Sequence, residues 1–105
     1  MAQMQRPATA RELIHQARQH MQVASIAEIA LDCTNAPFRE IRRDSPVGQL
    51  AIELQHTSVR NLDAAEDLLY DAVKIMRERN PARAARLERM IESIPEPYGR
   101  PIHLK

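Results

Sequence analysis

Apolar residues recur along this chain at the spacing of amphipathic helices. In "TARELIHQARQHM", Leu13, Ala17 and Met21 return every four residues, with Ile14 beside them. Thr9 and Glu12 form a capping box in which the hydroxyl accepts from the Glu12 N–H and the glutamate reaches back. A helix over about 10–21 is predicted. "SIAEIALDC" repeats the device with Ser25 and Glu28, and predicts a second, short helix over about 26–33 with Ile26, Ile29, Ala30 and Cys33 inward. Asn35 then suits a turn and Pro37 a first helical turn, so a third short helix is predicted over about 36–43, with Phe38 and Ile41 inward.

Ser45 and Pro46 read as the N-cap and first residue of a fourth helix. No breaker follows until Asn80–Pro81, and apolar or small residues fall in a heptad-like stripe from Val47 to Met76. The weakest stretch is "HTSVRN", 56–61, polar and partly β-branched. Unbroken, this helix would be about 50 Å long at 1.5 Å per residue. A compact domain of this size has a radius of gyration of about 13 Å. The helix must therefore break near His56–Asn61 or cover its stripe with a partner, for which a second copy of the chain is the simplest choice. After Pro81 a returning helix places Ala84, Leu87, Met90, Ile91 and Ile94 on one face. The segment "PEPYGRPIHLK" is expected to be extended, because Pro95, Pro97 and Pro101 cannot sit inside a helix.

The predicted architecture is all-α: a single helical domain over 1–105, with a flexible start (1–8) and three short helices within 9–44. A long helix and its antiparallel return fill 45–94, and a proline-rich tail occupies 95–105. Composition narrows it further. With 105 residues, 44% hydrophobic and 28% charged, the chain has globular rather than disordered character. Only three side chains are aromatic, Phe38, Tyr70 and Tyr98, so the core must be aliphatic. Two glycines leave little material for hairpins or phosphate loops. The single Cys33 excludes an intrachain disulfide and fits a reducing, cytoplasmic setting. No apolar run approaches the roughly 18 residues of a membrane span, and the first ten residues lack the apolar centre of a signal peptide. All basic residues except Lys74 and Lys105 are Arg, which points to a GC-rich bacterial or phage genome.

Two surfaces carry candidate function. Asp63, Asp67 and Asp71, with Glu66 alongside, stand at i, i+4, i+8 on the long helix. Like charges at that spacing repel by a few tenths of a kcal/mol per pair, which a solvated face tolerates and a basic partner relieves. The relief could come from the Arg run 77–89 of the same chain or from another protein. With Tyr98 of the tail, these residues form the expected partner-binding set. The second surface lies in "SIAEIALDCTNAPFREIRR". Glu28-Ile29-Ala30, a turn at Asn35 and an apolar Ile41 follow, with a one-residue-longer turn, the order found in bacterial regulators. Over about 20 residues the stretch resembles a helix-turn-helix, which implies Arg39, Arg42 and Arg43 facing phosphates or guanine edges. The formal net charge of +1 supplies little of the field such a reader needs.

Catalysis and metal binding lack their residues. Cys33 on an apolar face reads as core rather than nucleophile, and His15 and His20 do not share a helix face. No catalytic, cofactor or metal residue, no small-molecule substrate and no membrane partner is expected. The expected function is that of a non-enzymatic helical interaction protein, an adaptor, anti-activator or inhibitor acting on a protein partner and forming a homodimer through the long helix. The alternative is a small dimeric DNA-binding regulator.

Overall fold

The computed structural model describes residues 7–34 and 42–93, and within them the chain is all helical. Three helices succeed one another, α1 (Ala10–Cys33), α2 (Pro46–Arg79) and α3 (Pro81–Glu92). Their starts follow the expected chemistry. Thr9 Oγ1 accepts from the Glu12 N–H at 3.2 Å, Ser45 Oγ from the Gly48 N–H at 3.0 Å, and Asn80 Oδ1 from the Arg83 N–H at 3.1 Å. Pro46 and Pro81 occupy first helical positions, where a missing N–H costs nothing.

The five-helix expectation is not met; three helices stand among the described residues. Ser25 does not open a helix, because α1 runs through it for 24 residues. "QVAS" contains neither Gly nor Pro to stop the turn, and Glu28 looks elsewhere: its Oε1 accepts from Ser58 Oγ of α2 at 3.4 Å. The inward face is also different. Ala24, Ala27 and Leu31 are buried, whereas Ile26, Ile29 and Cys33 are exposed. Of the expected third helix, 36–43, only Arg42 and Arg43 are described, and they stand in the turn before α2. The rest of that helix and the expected tail, 95–105, lie outside the described residues.

α2 is continuous over 34 residues, so it does not break at His56–Asn61. The polar groups there are used. Asn61 Nδ2 donates to the Thr57 carbonyl at 2.8 Å, and Asn61 Oδ1 lies 2.8 Å from His20 Nδ1 of α1. At 1.5 Å per residue the helix is about 51 Å long, and the longest dimension of the molecule is 51 Å.

Two matched seams explain the packing. On α1, positions 10, 13, 17, 20, 24, 27, 31 and 34 are all buried or half-buried, and on α2 so are 51, 55, 58, 62, 65, 69, 72 and 76. Both follow the alternating three-and-four spacing of helices packed nearly antiparallel. The His20–Asn61 and Glu28–Ser58 pairs fix the antiparallel sense, since the α1 number rises as the α2 number falls. Seven of these sixteen seam positions are alanine, which lets the two backbones approach closely. α3 returns along the C-terminal half of α2, held also by Arg77 to Glu88 at 3.3 Å. Among the described residues, only there do three helices share a core, made of Ala17, Ala65, Leu69, Val73, Ala84 and Ile91. Met90, expected on the inner face, points out. Most of the α2 stripe is therefore covered from within the chain, by α1 and, near its end, by α3, while Val47, Leu50 and Ile75 of the stripe stay exposed.

Candidate functional site

α2 carries the acidic ladder where the spacing predicts it. Asp63, Asp67 and Asp71 are exposed on the side away from the seam, and Glu66 is half-buried. The arginines of α3 do not neutralise the ladder. Among the described residues, Asp71 has only Lys74, at 3.9 Å, and no basic side chain comes within ion-pair distance of Asp63 or Asp67. Arg77, the nearest of the Arg run in sequence, is turned to Glu88 instead. The three carboxylates thus form a solvated acidic edge, and Arg79, Arg83, Arg86 and Arg89 are exposed without an ion pair to it among the described residues. Tyr98, placed with the ladder by the sequence, lies outside the described residues.

The basic candidates divide similarly. Arg39 lies outside the described residues. Arg42 is tied to Asp44 through both arms of its guanidinium, Nε at 3.2 Å and Nη2 at 3.0 Å. The carbonyl of Arg43 accepts from Gln49 Nε2 at 2.7 Å, which folds the turn onto the start of α2 and leaves the Arg43 side chain exposed. With Asp44 and Gln49 the two arginines edge an open depression of about 660 Å³. Both side chains of the Arg42–Asp44 pair are largely exposed, so it costs little to open, but Asp44 sets a negative charge beside Arg42 that offsets part of its field.

Chemistry at Cys33 has no base beside it on α1. His20 is 13 residues earlier on the same helix, roughly 20 Å along the axis at 1.5 Å per residue, and is engaged with Asn61. His15 faces Gln19 at 3.5 Å. Among the described residues no group of three or more His, Cys, Asp or Glu could hold a metal ion, and no helix is long and apolar enough to cross a membrane. A second cleft, about 340 Å³, is lined by Gln55, His56, Val59 and Arg60 and brings no catalytic pair together.

What residue spacing did not reveal is the outer face of the second half of α1. Val23, Ile26 and Ile29 are 44, 66 and 62% exposed, and Val47 and Leu50 of α2 are also exposed. These five lie in the half of the hairpin that α3 does not cover. In the whole described structure eight large apolar side chains are exposed, while the buried core is alanine apart from Leu31, Leu69, Val73 and Ile91. A signal for this face is present in the sequence: between Arg18 and Cys33 the only charged residues are Glu28 and Asp32, and both are half-buried. It was masked because Ile26 and Ile29 sit just after a good capping box, where apolar residues read as inward-facing. No protein-family model, curated protein or solved structure matches the chain.

Proposed function

We propose that the chain is a small, non-enzymatic interaction protein of the cytoplasm that docks helices on a protein partner and modulates it, as an adaptor, anti-activator or inhibitor. The observation that supports this reading most directly is a group of exposed aliphatic side chains, Val23, Ile26, Ile29, Val47 and Leu50, in the half of the hairpin where two helices stand without a third. Contiguous exposed apolar surface on a small domain marks a place of association. Depletion of charge at the centre of such a face is the compositional signature of protein interfaces. The acidic ladder Asp63–Asp67–Asp71 adds a second, charged edge that would steer a basic partner and set its orientation.

The test is capture from bacterial lysate on immobilised chain, with two variants alongside. Ile26→Glu/Ile29→Glu removes the apolar face and Asp67→Lys/Asp71→Lys reverses the acidic edge. Both pairs are solvent-facing, so helicity at 222 nm should stay unchanged. A specific protein retained by the native chain and lost by either variant supports the reading. Retention that neither pair of substitutions alters would overturn it.

A further inference from the structure

We infer that the outer face of α1 pairs with the same face of a second copy of this chain, the two α1 helices running antiparallel with Ile26 of each against Ile29 of the other. The inference rests on the reading of this face as a contact surface and names its occupant. Gln22, Ile26, Ile29 and Cys33 follow one another at four, three and four residues, the spacing of a coiled-coil seam, on the side of α1 opposite the Ala17–Ala24–Leu31 seam. A helix with a second such seam needs a second neighbour with the same repeat, and the one surface certain to carry it is the same helix of another copy.

Charge argues for the same occupant and for the direction. From Gln19 to Cys33 no exposed position of α1 bears a charge; Glu28 accepts from Ser58 and Asp32 is half-buried. Such a face offers nothing to select an oppositely charged foreign surface, and it meets its own copy without repulsion. Going back towards the N-terminus the same stripe continues through Arg18 and Arg11. Parallel pairing would set Arg18 against Arg18 and Arg11 against Arg11. Antiparallel pairing centred between Ile26 and Ile29 keeps the uncharged segments in contact and carries each Arg18 past the end of the other's seam. A two-fold axis perpendicular to the helices relates the copies, so the interface is closed and self-complementary. Most of the α2 stripe packs on α1 and α3, which leaves Val47, Leu50 and Ile75 exposed at its two ends, whereas Ile26 and Ile29 stand together on one face of α1, to which the pairing is therefore assigned. The strip is short, about 21 Å at 1.5 Å per residue, so association in the micromolar range is expected.

The register gives a covalent test. Gln22 of one copy faces Cys33 of the other, whereas the two Cys33 residues lie at opposite ends of the seam. Within one chain, positions 22 and 33 are 11 residues apart on one helix, about 16 Å, too far for a disulfide, whose Cα atoms lie within about 7 Å. Under mild oxidation Gln22→Cys should therefore yield a covalent dimer on a non-reducing gel, and neither the native chain nor Gln22→Cys/Cys33→Ser should. In sedimentation the native chain should pass from one copy to two over about a hundredfold rise in concentration. Ile26→Glu/Ile29→Glu should remain one copy throughout with unchanged helicity. A native chain that stays single at every concentration overturns the inference. A dimer cross-linked through native Cys33 alone overturns the antiparallel register. If the chain is single yet Ile26→Glu/Ile29→Glu loses a captured protein, the interaction reading stands and the second copy is the wrong occupant; if it is single and capture is indifferent, both readings fall.

Discussion

Gly48→Ala provides a test in which local and tertiary reasoning give opposite signs. Gly48 is the third residue of α2, and in a helix Ala is preferred to Gly by about 1 kcal/mol. Propensity alone therefore predicts a more stable protein. In the fold, Gly48 is buried beneath the turn that enters α2. A Cβ there would run into the Arg42 carbonyl oxygen and lie 3.0 Å from the Arg42 carbonyl carbon and 3.1 Å from the Arg43 Cα. These are backbone atoms and cannot swing aside. The Arg42 carbonyl is also held in place, accepting from the Ser45 N–H at 3.1 Å and the Ser45 hydroxyl at 2.6 Å. Making room means moving the turn off the helix and loosening the Ser45 cap. Overpacking costs about 1–3 kcal/mol and a lost cap about 1 kcal/mol. Set against the propensity gain, the net is a loss of about 1–3 kcal/mol, or roughly 4–24 °C in melting midpoint for a domain of this size. Thermal and urea unfolding followed at 222 nm measure it, with Val47→Ala, an exposed neighbour, as a control expected to stay within about 0.5 kcal/mol. A Gly48→Ala protein that melts at or above the native midpoint would refute the close approach of the turn to α2.

Ala24→Leu tests the small-residue seam between α1 and α2. Ala24 is 1% exposed, so the added carbons should lower the unfolding free energy measured in urea by about 1–3 kcal/mol; an unchanged value would mean that the helices are not closely apposed there. The DNA-reading alternative is tested by fluorescence anisotropy on random duplex fragments at about 50 and 200 mM salt. With a formal net charge of only +1, no duplex binding is expected at either salt. Steep salt-dependent binding whose slope falls by about one unit in each of Arg42→Ala and Arg43→Ala would establish the regulator reading instead.

The helix starts at Thr9, Ser45 and Asn80 were legible because capping and first-turn proline are local: the hydroxyl or amide bonds an N–H three residues away, and nothing distant can change that. The same locality misled at Ser25. A capping box is only a permission to begin, and when α1 is already running and its seam continues in phase through His20, Ala24, Ala27 and Leu31, the helix simply passes through. Likewise "HTSVRN" looked breakable from propensity, yet Ser58 and Asn61 found partners on α1 in Glu28 and His20, and α2 runs on unbroken.

The acidic ladder shows the limit for function. Its spacing alone placed Asp63, Asp67 and Asp71 on one solvated face. Whether the Arg run would fold back to neutralise them depended on the direction in which α3 returns, and Arg77 went to Glu88. By itself, then, the sequence determined the all-helical class, the caps and the periodic faces, since each depends on residues within one or two turns of each other. Only the tertiary structure decided which apolar face is buried. α1 carries two seams of helical period, alanine-rich and isoleucine-bearing, and local periodicity cannot rank them. Close packing against a long neighbouring helix favours the smaller residues, and that left Ile26 and Ile29 on the outside.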